Sequence, residues 1–531
     1  MQLLKKTKSS TIIFIGFISL HIILFNINVA EWGDSYRILR ASEYIRKFAY
    51  PTNEKRPPLY SFFLAIRPFF VDPIFWGRLF MLLVSIACFF LFLKLLKHFS
   101  LKDRAQTLAL LLFSLNPVFL YWSIRIYADV FFIMLVLATA LFYYRWKSAS
   151  KDFSFKHIII LGALSGLAVL TRFEGYILFG ATFLGLLVDG SISKLNINRV
   201  FADFKKRIKF LSAYALSFLV IISPWIIKRN PFVSSYFEES SQRSVDMKSV
   251  LIYVFSLVFL FGFCHAGYFV LKGKRTLLKF FNENIFITSF ILVELLLAFL
   301  WPAAIPRLFV PIIPFLIIPL AISVDEYFST SRVSFSFKSH KKEFLCCGVP
   351  FLFWVALLFS QYFLKLQFLV SDKELFFSLL LIQLPLLVAT IYKNYKMFLI
   401  SLTVSLFVWC FSVIYTHKDI YISVKNASQY AAKNLEGVIG YNDVSSVSNW
   451  YLNYAPISKN VEGRFFNYSK KEDLNYDNLL NSGYDYIIMT NEHNTDMTLD
   501  IERRPYLQTL KEFSYLINGK EFFAKVIKVI N

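Results

Sequence analysis

The feature that most constrains this chain is a series of apolar runs, each near the length of a bilayer-crossing helix, separated by short polar breaks. Lipid offers no partner to an open backbone N–H or C=O, so such runs must close their hydrogen bonds internally, as helices. Candidate spans lie near 11–30, 73–96, 105–120, 130–145, 157–171, 176–188, 210–227, 249–271, 285–300, 307–324, 344–363, 375–392 and 397–416. At 56% hydrophobic and 19% aromatic over 531 residues, the chain is too apolar for a soluble protein of several domains. The expected fold is an α-helical polytopic membrane protein of about thirteen spans.

Sides follow from charge. Lys5, Lys6 and Lys8 precede the first run and hold the N-terminus in the cytoplasm; the run is long for a cleavable signal and reads as a retained helix. The even-numbered connections then fall at 94–104, 145–156, 194–209, 272–279, 332–342 and 393–396, all rich in Lys and Arg. One miscounted span would put half of them on the wrong side. The first outer connection, 31–72, is net basic and runs against the rule. Runs 157–171 and 176–188, parted only by Arg172-Phe-Glu-Gly175, can also be read as one kinked helix, which would reverse the sides of everything after them.

Net charge is +22, yet residues 417–531 hold 13 Lys and Arg against 14 Asp and Glu, so the basicity belongs to the membrane part. Dispersed basic loops orient a membrane protein and meet anionic lipid; they are not the concentrated patch of a nucleic-acid binder. Residues 1–416 form the transmembrane domain. Residues 417–531 have the composition of a small soluble α/β domain, and an odd number of spans makes it extracytoplasmic, in a plasma-membrane protein. Within it, 428–435 and 473–480 read as helices, 437–441 and 484–490 as strands, and Asn518-Gly519 as the turn of a hairpin. It carries no nucleotide-binding glycine loop. Cys88, Cys264, Cys346, Cys347 and Cys410 lie in or beside apolar runs and suggest neither disulfides nor a zinc site.

Charges at membrane depth are costly, so those on the outer side narrow the search. They are Asp34 with Glu31, Glu43 and Arg56; Arg125 and Asp129; Arg172 and Glu174; and Arg307. A carboxylate there can take the proton of an acceptor hydroxyl, and arginines can hold a lipid phosphate that is both anchor and leaving group. Each has a plainer reading. Asp34 can cap a helix over 35–47, and Arg125 and Asp129 can pair across one helical turn. Arg172 and Glu174 can form a structural pair, and Arg307 can snorkel to the interface. His21 and His265, alone on apolar runs, read as packed helix residues rather than ligands.

The order Gly33-Asp34-Ser-Tyr, Arg56-Pro-Pro-Leu-Tyr60, Asn116-Pro117 and Ala128-Asp129 resembles the GT-C class of membrane glycosyltransferases. It is most similar to the branch of the dolichyl-phosphate-mannose protein mannosyltransferases and the lipid A aminoarabinose transferase. Segments 162–172 and 306–314 extend the likeness, which runs from about residue 10 to 325. The resemblance implies an inverting transferase that moves a sugar from a polyprenyl-phosphate donor to a lipid, glycan or protein acceptor at the extracytoplasmic face. By position, Asp34 matches the first-loop acid, the base, and Asp129 the second acid. Arg56 lies in the cavity-lining element; Arg172, Arg307 and Arg125 are assigned to the phosphate on charge and side. Ser35 stands where many relatives carry the Glu of an Asp-Glu pair, which leaves the acceptor and any role of a divalent cation open. A polyprenyl-linked glycan flippase is the competing class. It predicts midplane sites in repeated, broken helices, whereas an enzyme predicts Asp34 and Asp129 in one cavity.

Overall fold

The computed structural model describes residues 8–148, 155–188, 197–228, 260–301, 306–329, 373–457, 460–466, 481–492, 505–517 and 520–530, with isolated positions near 250, 350 and 479. The expected helix at 473–480 lies almost wholly outside them. So do parts of the runs at 249–271 and 344–363. Among the described residues, five helices are long and apolar enough to cross a membrane: Pro73–His98, Ala128–Ser148, Arg207–Lys228, Pro306–Ser329 and Tyr395–His417. Ser9–Ile23, Phe155–Val169, Gly175–Leu187 and Leu381–Ile391 are shorter apolar helices. By length and apolarity these helices are those of an integral membrane protein.

The first ten helices place the site. They are α1 (Lys8–Ile23), α2 (Gly33–Arg46), α3 (Leu59–Ala65), α4 (Pro73–His98), α5 (Asp103–Ser114), α6 (Pro117–Ser123), α7 (Ala128–Ser148), α8 (Phe155–Val169), α9 (Gly175–Leu187) and α10 (Ile197–Lys228). Asp72 caps α4 through Ile74 and Phe75 N–H, with Pro73 in the first turn, where a missing donor costs nothing. The expected span at 105–120 is bent by 51° between α5 and α6. Pro117 cannot donate to the preceding turn, and Asn116 closes the break by accepting from Val118 and Phe119 N–H at 3.1 and 3.0 Å.

Helices α8 and α9 are two antiparallel elements rather than one kinked rod. The Tyr214 hydroxyl lies 2.8 Å from Ser165 Oγ and 3.2 Å from the Phe179 carbonyl, although 14 residues separate the two positions. A continuous helix would hold them about 21 Å apart. Further on, Lys274–Glu283 meets Ile285–Leu300 at 102°. Its Lys274, Arg275 and Lys279 are exposed while Leu277 and Phe280 are buried, the pattern of an amphipathic helix.

The C-terminal part is a five-stranded sheet, β1 (Gly437–Tyr441), β2 (Val461–Phe465), β3 (Tyr486–Thr490), β4 (Leu507–Ile517) and β5 (Lys520–Val529), in the order β2-β1-β3-β5-β4. The first two pairings are parallel and the last two antiparallel. β4 and β5 pair down to Ile517 and Lys520, on either side of Asn518-Gly519. Helix Ile422–Asn434 covers the sheet.

This part rests on the connection between α1 and α4. Lys425 Nζ donates to the Val29 carbonyl at 2.6 Å, and Tyr36 of α2 packs on Trp450 and Tyr451, with ring centroids 6.3 and 5.9 Å apart. At Gly33 a Cβ would collide with the backbone carbonyl oxygen of Ser445, so only glycine admits this approach.

Candidate active site

Asp34 lies in the first turn of α2, but its carboxylate does not cap that helix, whose N-terminal position is Trp32 and carries no side-chain cap. It faces inward instead. Arg56 Nη2 donates to Oδ1 and the Tyr127 hydroxyl to Oδ2 at 2.7 Å; Arg307 Nη1 stands 3.5 Å from Oδ2. Burial opposes the charged form, but Arg56, Arg307, Tyr127 and Arg37 outweigh it and hold the Asp34 carboxyl well below the usual carboxylate range. The side chain keeps 27% of its exposure.

Arg56 is fixed by its own corner. Its backbone N–H and Nη1 both donate to Glu54, at 3.1 and 2.8 Å, and Tyr50 donates to its carbonyl at 2.7 Å. Directly after the Pro57-Pro58 pair, which sets the turn, the Leu59 N–H reaches the Leu170 carbonyl at 2.9 Å. That bond seats the corner on the hairpin tip between α8 and α9, beside Arg172.

Asp129 lies in the first turn of α7 and is almost fully buried, 1% exposed. Arg172 Nη1 donates to its Oδ1, while Arg172 Nε donates to Glu174 at 3.0 Å. Asp129 Oδ2 has no hydrogen-bond partner among the described residues. Arg172 and Glu174 therefore pair, as their spacing suggested, but the same guanidinium also reaches Asp129. Arg307 comes from the short 3-10 helix Pro306–Ile312 and lies over Tyr127, 4.9 Å from the ring centroid, and over Trp122 at 5.6 Å. Its Nε is 4.0 Å from Asp129 Oδ1. One guanidinium thus spans both acids, which puts Asp34, Asp129, Arg56, Arg172 and Arg307 in a single cluster.

Arg125 is not in it. Helix α6 ends at Ser123 and α7 begins at Ala128, so Arg125 and Asp129 do not share a helical face. Arg125 donates to the His417 carbonyl at 3.1 Å and lies 4.6 Å from the Tyr121 ring centroid, where it ties the last described span to α6. Of the other acids in the first connection, Glu31 pairs with Arg78 at 2.8 Å and Glu43 with Arg67 at 2.7 Å. His21 and His265 bond Ser123 and Thr390 within the helix packing.

Sequence reasoning missed Tyr127, Glu54 and Glu294. Tyr127 carried one unused signal, an aromatic hydroxyl two residues before Asp129. Glu294 is buried at 2% exposure within Ile285–Leu300, in the field of Arg172 and Glu174, and one of its oxygens has no partner among the described residues. Among the described residues no three His, Cys, Asp or Glu side chains converge as a metal ion would need. The carboxylates are shared out among arginines, a donor set that does not suit a cation.

Residues 55–227 match the family model described as dolichyl-phosphate-mannose-protein mannosyltransferase. Among curated proteins there is no significant sequence match. Two solved structures of ArnT from Cupriavidus metallidurans are similar over nearly the whole length, each alignment covering 96% of this chain and 97% of the other. The one bound to undecaprenyl phosphate gives a TM-score of 0.59 at 12% identity, and the apo state 0.55 at 11%. At such identity the likeness is one of fold.

Proposed function

We propose, for a chain whose fold is that of the GT-C membrane glycosyltransferases, that it transfers a sugar from a polyprenyl-phosphate donor to an acceptor hydroxyl at the extracytoplasmic face. The observation that carries the reading is the reach of Arg307 to Asp34 at 3.5 Å and Asp129 at 4.0 Å. A base, a second acid and a phosphate-holding cation then adjoin one reacting centre.

In the step proposed, Asp34 takes the proton of the acceptor hydroxyl as that oxygen attacks the anomeric carbon from the side opposite the phosphate. The bond from anomeric carbon to phosphate oxygen breaks, configuration inverts, and the polyprenyl phosphate leaves with its electron pair. Arg307, Arg56 and Arg172 stabilise the charge that grows on it. Asp129, with Oδ2 open, orients donor or acceptor through a hydrogen bond.

The resting pairing matters to this step. Asp34 bound to Arg56 and Arg307 is a weak base. An entering phosphate competes for those guanidiniums, and as they turn to it the carboxylate regains basicity where a proton must be taken. The test is Asp34→Asn in purified membranes at equal expression, with a labelled polyprenyl-phosphate sugar pool. Glu54 still pairs with Arg56, and Asp129 still stands 4.0 Å from Arg307, so the variant is expected to fold. Transfer is expected to fall about a hundred- to ten-thousand-fold; unchanged transfer would remove Asp34 from the base role.

A further inference from the structure

One arginine of the site meets no acid among the described residues. Arg37 lies three positions after Asp34 on α2, so the two side chains share a helical face, and its charge acts on the Asp34 carboxylate. Arg56, Arg172 and Arg307 are each committed to carboxylates. Arg37 instead donates from Nε to Ser446 Oγ at 3.1 Å, with Nη2 at 3.5 Å from the Val444 carbonyl. Neither partner neutralises it.

The holder is rigid. Asp443 accepts from the Ser445 and Ser448 N–H groups at 2.7 and 2.9 Å, Ser446 is left-handed at φ 65°, and the Ser445 carbonyl presses on Gly33. The C-terminal domain thereby clamps one edge of a guanidinium one turn from the candidate base. The Arg37 side chain stays partly exposed beside Val444, itself 51% exposed. A cation fixed on one edge and open on the other is prepared for a planar or tetrahedral anion.

We infer that Arg37, held by the 443–446 loop, binds an anionic group of the acceptor, a phosphate or a carboxylate, and so selects an acidic glycan or glycolipid. This rests on the transfer reading of the Asp34 site, but its test is a binding measurement that needs no turnover. The full-length protein in nanodiscs is titrated with methyl β-D-glucoside, its 6-phosphate and methyl β-D-glucuronide, using ligand-observed NMR. The wild type is expected to bind at least one charged glucoside about tenfold or more tightly than the neutral one, as a charge-assisted contact implies. The 6-phosphate and the glucuronide separate the two sources of charge.

Arg37→Gln is expected to abolish the preference and Arg37→Lys to retain part of it. Ser446→Ala, which removes the holder's hydroxyl but not the charge, is expected to keep the sign of the preference; that separates binding from mere anchoring of the domain. Equal binding of all three glycosides by the wild type would overturn the inference. So would a preference that survives Arg37→Gln, since the probe would then be sitting on Arg56 and Arg307. Loss of transfer in Asp34→Asn bears on the reaction alone and leaves this comparison intact.

Discussion

Replacing Arg307 by Met tests the cluster where it is most connected. At 3.5 and 4.0 Å, the contacts to Asp34 and Asp129 are each worth about 4 to 5 kcal/mol of Coulomb energy at an effective dielectric near 20. Desolvation of the three groups offsets much of that. Each acid also keeps another arginine, Arg56 for Asp34 and Arg172 for Asp129. The variant is therefore expected to fold and to lose rate. Removing one donor to the charge that develops in a transition state costs about a hundred- to a thousandfold in kcat, or about 3 to 4 kcal/mol. Arg307→Lys, which keeps the charge but not the span, should fall between. The pH profile gives a second readout. Arg307 is one of the groups that depress the Asp34 carboxyl, so its removal raises that carboxyl. The base is active when deprotonated, and the acid limb of kcat/KM must then move to higher pH. The assay is the initial rate of transfer from a labelled polyprenyl-phosphate sugar in purified membranes across pH. A Met variant within about threefold of wild type, with an unmoved acid limb, would refute the role assigned to Arg307.

Three other outcomes follow. Gly33→Ala forces a methyl into the Ser445 carbonyl and should loosen the C-terminal domain by about 1 to 3 kcal/mol, read as faster proteolysis between 417 and 447 and a lower first unfolding transition. Burial pushes the Glu492 carboxyl up to about 7, although the Tyr421 N–H and Ser423 hydroxyl pull it down. The folded state then binds the extra proton, so stability falls as pH rises from about 4.5 to about 7 and is level above. Glu492→Gln should flatten that slope, on the order of 2 to 3 kcal/mol, in thermal unfolding at pH 5 and pH 8. Arg125→Ala should lower Tm while sparing KM for the donor, whereas Arg172→Ala should raise that KM, because Arg172, unlike Arg125, touches Asp129.

Much of this was legible in the chain because membrane insertion and phosphate chemistry both act on single residues. The acids and arginines on one predicted side converge as Asp34, Asp129, Arg56, Arg172 and Arg307. The strand 437–441 and the Asn-Gly hairpin are where local pattern put them. What the pattern could not carry was the break at 124–127. An i,i+4 spacing predicts a pair only if the helix continues, and it does not, so Arg125 goes to His417. Tyr127 meets Asp34 across 93 positions, a contact no local period encodes. The cap proposed for Asp34 lost to two guanidiniums and a hydroxyl, which offer a carboxylate more than a backbone N–H does. Arg37 meets Ser446 across 409 positions, so its place beside Asp34 depends on a contact that no local period encodes.

The antiparallel pair α8 and α9 has a consequence for the surrounding lipid. Over the described residues they run 15 and 13 positions, about 22 and 20 Å, against the roughly 30 Å hydrocarbon thickness of an ordinary bilayer. The tip that joins them carries Arg172 and Glu174, so the end that both helices share lies beside the candidate site. A bilayer that thins to match the pair at that end brings headgroups inward toward the arginines. A donor whose phosphate rides at headgroup level would then have less depth to travel, and hydrophobic mismatch itself would help deliver it.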